Sequence, residues 1–321
     1  MRTTPFSLER LRRHAAAPAA AWDALDFTSP VDRALPFLCE TVTPLYYAPI
    51  YQELAAAHRL RYNQLMGLAF GELICFFESQ IAVPLLESLV ARPGELPEEL
   101  AAALQHFAAD ERRHTAAFRA LNRLAEPGWY AASDQFLVPS SAFGERAIRF
   151  LARHPAHFPA ILWIGLLMEE KALATSRALL TAKRIEPHFL AVYRQHLRDE
   201  VRHVELDWHL LGRLYEGQPR WRRELNARFF CFLLDQYFLA PIRAGRRVTE
   251  RWLAEFPELL GLRGRILREM AALGQDPAYQ RMMYSRRSTP IAFALFDRYP
   301  EFRRLTKVLS SYVQEPAHVG D

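Results

Sequence analysis

The strongest constraint on the fold is a design written twice. One stretch reads Asp110-Glu111-Arg112-Arg113-His114, and a later one reads Asp199-Glu200-Val201-Arg202-His203. In each copy Glu and His stand three residues apart, so on a helix they project from one face about one turn apart. Each copy follows a long apolar stretch with acids embedded in it: 58–90 carries Glu72 and Glu78, and 158–183 carries Glu169 and Glu170. A helix that is apolar all round is a buried one. Two hairpins, each a buried helix with an inward Glu and a partner helix with Glu-x-x-His, predict an all-α chain whose four central helices enclose one site.

The punctuation agrees with that reading. Arg92-Pro93-Gly94 stops the first buried helix, and Leu96-Pro97-Glu98-Glu99 opens the next with Pro in the first turn and acids at the positive end of the dipole. Residues 126–140, with Pro127, Gly128 and Pro139, must cross the bundle because the design then repeats. Glu186-Pro187 restarts the chain into a helix that runs to Tyr215. Before the bundle, 30–57 is a lead-in with a short helix, broken up by Pro36, Pro44 and Pro49. After Pro219, amphipathic helices are expected over 220–240, 242–255 and 259–273, then closing packing over 293–302. No strand-like alternation is present. The expectation is one domain over 1–321: a loosely ordered arm over 1–29, a four-helix core over 58–217, and packing helices over 218–321.

Composition narrows the class. Net charge is only +5, and the arginines are spread along helices without interleaved aromatics, which argues against nucleic acid. Cys39, Cys75 and Cys231 form no CxxC pair and sit in apolar contexts, which points to reduced thiols in a reducing compartment, the cytoplasm. The first 22 residues lack the continuous apolar segment of a secretory signal. The longest uncharged apolar run, 159–168, is short of the ~20 residues a bilayer needs, so no membrane is expected.

Two Glu-x-x-His pairs facing each other supply the carboxylates and imidazoles that a bundle holding two iron or manganese ions requires. The remaining helices must each add an acid. Antiparallel helices joined by a tight turn place residues equidistant from the turn at one height. Glu111 lies 17 residues after residue 94, Glu78 lies 16 before it and Glu72 lies 22 before it. The five-residue mismatch of Glu72 is ~7.5 Å along a helix, so Glu78 is chosen and Glu72 is the fallback. Height does not separate Glu169 from Glu170. Glu169 shares its face with Leu162, Leu166, Leu173 and Ser176, Glu170 with Arg177, so Glu169 is chosen. His196 lies on one face with Glu200 and His203, either as a seventh ligand or as a satisfied buried histidine. Asp110 and Asp199 precede the two Glu residues. A crossed pairing is expected, Asp110 to His203 and Asp199 to His114, because metal-bound His usually donates its other ring N–H to a carboxylate. The plain alternative is an ion pair with Arg113 or Arg202.

The Glu111/His114 and Glu200/His203 arrangement resembles the ferritin-like diiron oxygenases. His196-x-x-x-Glu200-x-x-His203 is similar to the arylamine N-oxygenase branch, typified by p-aminobenzoate N-oxygenase, over about residues 40–305. The resemblance implies a ferritin-like core with added N- and C-terminal helices and a diiron site of Glu78, Glu111, His114, Glu169, His196, Glu200 and His203. It implies O₂ as co-substrate and oxidation of a small-molecule amine toward hydroxylamine or nitro, in a homodimer. No flavin or nicotinamide fingerprint is present, so electrons are expected from outside, from a ferredoxin or similar protein. The alternative with the same ligands is a diiron C–H hydroxylase.

Overall fold

The computed structural model of the chain describes residues 22–91, 96–239 and 242–314, and every regular element among them is helical. The first buried segment is one rod in three parts: α1 (Ala56–Phe77), a π-helical turn (Glu78–Ala82) and α2 (Val83–Val90). Then come α3 (Glu98–Ala125), the short α4 (Ala142–Ala152), α5 (Ala160–Thr181) and α6 (Pro187–Tyr215). The rod, α3, α5 and α6 form the four-helix core. The turn expected at 92–94 lies outside the described residues.

The local reasons are plain in the residues. Positions 62–69 of α1 and 160–167 of α5 are buried without a break, so neither helix has a solvent face there. α6 starts where Glu186 accepts the N–H groups of His188 and Phe189, with Pro187 in the first turn. α3 starts after Pro97 with Glu98 and Glu99 at its positive end.

The later helices close both ends of the core. They are α7 (Arg220–Leu233), α8 (Ile242–Glu255), α9 (Arg263–Ala272), α10 (Pro277–Met283), α11 (Pro290–Arg298) and α12 (Ser310–Gln314). α7 and α11 cover α5 around the buried Trp163, whose ring lies 4.4 Å from Phe302 and 5.4 Å from Phe296. α8 covers α1, with Trp252 edge-on to Tyr62 at 5.6 Å. Two glycines of α1 permit the closest approaches. A Cβ at Gly67 would lie 2.6 Å from Phe37 Cβ, and one at Gly71 would lie 2.8 Å from Asn122 Oδ1.

Four expectations need correction. The first buried helix is not uniformly α, because the π turn begins at Glu78. The lead-in holds no short α-helix but three 3₁₀ turns, Glu40–Val42, Pro44–Tyr47 and Pro49–Glu53. Pro44 and Pro49 each open one of these turns and lack the N–H that a continuing helix would use. The helix expected over 220–240 ends at Leu233 and gives way to a second π turn, Leu234–Phe238. Trp22, read as the edge of a loose arm, is 7% exposed and packs into the core. By length and composition the rod Ala56–Val90 could cross a membrane. Here it packs against α3 and α8, and two of its three acids, Glu72 and Glu78, are buried among polar partners.

Candidate metal centre

Three of the four core helices bring six side chains to one point. Glu78 comes from the π turn, Glu111 and His114 from α3, and His196, Glu200 and His203 from α6. They form two overlapping groups, Glu78/His114/His196/Glu200 and Glu111/His114/Glu200/His203, and the ligand atoms of each lie within 4.8 Å of one another. His114 and Glu200 belong to both. His114 Nδ1 stands 3.5 Å from Glu78, 3.4 Å from Glu111 and 3.4 Å from Glu200. His203 Nδ1 stands 3.1 Å from Glu111 and 3.4 Å from Glu200. His196 Nε2 stands 2.7 Å from Glu200 and 3.5 Å from Glu78. All six are buried, His114 completely.

Position on the helix explains each contribution. The π turn inserts an extra residue into the rod, and Glu78 opens it with one oxygen toward the cluster. The other oxygen accepts Thr115 Oγ1 at 2.7 Å. Glu169, on α5, belongs to neither group of four; it is buried beside them, close enough to Glu200 for the two charges to act on each other. Its neighbour Glu170 faces away and accepts the N–H groups of Ile291 and Ala292 at the start of α11. Glu72 also works elsewhere, on Tyr130 and the backbone of residues 136–138.

The two aspartates cross over. Asp199 Oδ2 is 3.2 Å from His114 Nε2, and Asp110 Oδ2 is 3.4 Å from His203 Nε2. These contacts place the ring proton on Nε2 and turn Nδ1 toward the cluster. The arginine pairs exist as well: Arg202 Nη2 donates to both Asp199 (2.6 Å) and Asp110 (3.1 Å), and Arg113 pairs with Asp110. Trp22 Nε1 adds a donor to Asp199 Oδ2 at 2.8 Å.

The electrostatics are those of a site built around positive charge. Burial alone would depress His114, yet Asp199, Glu111 and Glu78 hold it well above the usual histidine value. Burial opposes the charged form of His203 too, and Glu200 and Asp110 raise it in the same way. Burial would raise Glu200, but His196 and His203 hold it well below the carboxylate range. Burial and the charges of Glu200 and Glu111 push Glu169 well above that range. Among the described residues, both oxygens of Glu111 and Glu200, both ring nitrogens of His196, and Nδ1 of His114 and His203 have no hydrogen-bond partner. An orphaned buried polar atom costs about 1–3 kcal/mol. So many around one point fit bound cations, and a mixed carboxylate and imidazole set suits iron or manganese.

Sequence reasoning missed several neighbours. Asp207 continues the stripe His196, Glu200, His203 by four residues, so a signal was present. It is 4% exposed, and with Glu169 and Gly165 it lines a small cavity otherwise walled by Phe77, Ile81, Ala82, Leu85, Leu86 and Phe107. Burial, with Glu111 and Glu200 nearby, pushes its carboxyl well above the usual range. Phe107 stacks on His203 at 3.8 Å, and Phe118 stands edge-on to His196 at 5.3 Å, keeping both imidazoles dry. Trp22 gave no signal at all, since it lies outside every periodic segment.

An all-helical bundle closing on buried carboxylates and imidazoles from two Glu-x-x-His helices defines the ferritin-like class of metal-carboxylate proteins. Within it, the sequence matches the p-aminobenzoate N-oxygenase AurF family over residues 6–255, which holds both motifs and every residue of the cluster. The chain belongs to that family, an oxygenase family, as the two motifs and His196 implied. No curated protein matches the chain.

Proposed function

We propose that this chain is a diiron oxygenase that uses O₂ to oxidise the nitrogen of a small-molecule amine. Seven side chains would hold the two ions: Glu78, Glu111, His114, Glu169, His196, Glu200 and His203. Two Fe(II) ions there would supply electrons to reduce O₂, and an outside donor such as a ferredoxin would restore them. The protein's own part is holding and shielding. Asp199 and Asp110 keep the Nε2 protons of His114 and His203, leaving the Nδ1 lone pair of each free for a metal. Phe107, Phe118 and the buried walls exclude water from the oxidising site.

The observation that carries the nitrogen assignment is the third imidazole. His196 Nε2 lies inside the cluster, against Glu200 and Glu78, in a chain of an N-oxygenase family. The test is metal analysis of the purified protein, then reaction of the reduced protein with O₂ and an aryl amine. Two irons per chain and a hydroxylamino or nitro product are expected. A carbon-hydroxylated product would keep the centre and overturn the nitrogen assignment. Protein with no bound metal would overturn both. In line with its relatives' implied assembly, a homodimer is expected on sizing.

A further inference from the structure

We propose that Trp22 is a positioning residue of the metal centre: its indole N–H holds Asp199 in the pose that aims His114, so the segment ahead of the bundle is a working part of the site. The inference rests on the diiron reading above and extends it to a residue far upstream of both motifs.

The geometry is a relay of two bonds on one oxygen. Asp199 Oδ2 accepts Trp22 Nε1 at 2.8 Å and faces His114 Nε2 at 3.2 Å, while Oδ1 accepts Arg202 at 2.6 Å. A carboxylate engaged at both oxygens cannot rotate without breaking a bond. The Trp22 ring also covers its target, with its centroid 5.0 Å from that of His114. Buried itself, it keeps water from competing for the Asp199–His114 bond.

The other half of the site shows why an indole is used. Asp110 takes its three donors from His203, Arg202 and Arg113. Among the described residues Asp199 takes His114 and Arg202 and no second arginine; Trp22 fills that place. An indole N–H fixes a carboxylate without adding positive charge, whereas a further arginine would repel the cations the cluster is built to hold. The chain must therefore bring the donor in from outside the bundle. The turn Trp22–Leu25, closed by Leu25 N–H to Trp22 C=O at 3.3 Å, presents it.

The test is titration of chelator-treated protein with Fe(II) under anaerobic conditions, reading affinity and stoichiometry. Trp22→Phe keeps a ring and loses the donor; Trp252→Phe removes another buried indole, whose N–H bonds His58 C=O at 3.0 Å far from the cluster. Trp22→Phe is expected to weaken binding of one ion measurably, by no more than the 10–100-fold that losing the direct carboxylate partner of a metal-bound histidine costs, and Trp252→Phe to leave binding unchanged. Asp199→Asn should weaken binding too, and adding Trp22→Phe to it should cost nothing more, because the indole acts through that carboxylate. Wild-type affinity in Trp22→Phe, or losses that add in the double variant, would overturn the proposal. So would a Trp22→Phe chain that no longer folds, since the indole would then serve the fold rather than the site. Failure of the wild-type protein to bind two ions would instead sink the diiron reading itself.

Discussion

Glu72 and Glu78 stand six positions apart on one rod, and they do unrelated work. Glu72 accepts Tyr130 Oη at 2.6 Å and the N–H groups of Phe136, Leu137 and Val138 at 2.7–2.9 Å, pinning the crossing segment. Glu72→Ala should destabilise the protein by about 3–5 kcal/mol in denaturant melts, because several buried donors lose a charged acceptor at once. Metal content of the folded fraction should stay as in wild type, whereas Glu78→Ala should lower it. The titratable groups predict a pH dependence as well. Folded Glu169 and Asp207, and Glu170, pushed up to about 7 by burial, keep protons that the unfolded chain releases near 4. The folded state then binds more protons than the unfolded one, so the metal-free protein should lose stability as pH rises from about 5 to 7. His114 and His203, held high, keep protons that a metal must displace, so Fe(II) affinity should rise with pH. A melting midpoint that climbs over that window, or affinity that falls, would contradict this balance.

At the scale of elements, the site depends on how α5 and the first rod are shaped. Adjacent acids on α5 divide the labour: Glu169 turns toward Glu200, and Glu170 caps α11 through two backbone N–H groups at 2.8 and 2.7 Å. Glu170→Ala should therefore cost about 1–3 kcal/mol of stability by stranding the start of α11, with metal content unchanged. Glu169→Ala should do the reverse, lowering metal content with a smaller effect on the melt. The height of Glu78 followed from counting residues to the turn. The π turn did not, since nothing in Glu78-Ser79-Gln80-Ile81-Ala82 marks a wider turn than α. Removing Ser79 should restore α geometry and rotate Glu78 by about 100° relative to α2. Loss of one ion in metal analysis, with helicity by circular dichroism kept, is the expected result.

For the whole molecule, closure of the site depends on the segment before the bundle lying flat on α1. Gly67 permits it, since a Cβ there would meet Phe37 Cβ at 2.6 Å. Phe37 in turn stacks on Phe189 of α6 at 4.0 Å, so the lead-in bridges both hairpins. Gly67→Ala should destabilise by about 1–3 kcal/mol, despite alanine's better helix propensity, because two packed backbones must part. A melt showing greater stability would mean that Phe37 gives way without cost.

The sequence by itself determined the class. Helical periodicity and the repeated Asp-Glu-x-Arg-His fix which residues share a face, and buried acids in apolar helices require partners. That sufficed for an all-α bundle and for the face on which His196, Glu200 and His203 stand together. Only the tertiary structure decided what comes from elsewhere in the chain: Trp22 on Asp199, Arg202 shared between two aspartates, Glu170 spent on α11. Those contacts join residues up to 177 positions apart. A helix-face argument reaches one turn at a time, so it has no means of ranking partners that only packing brings together.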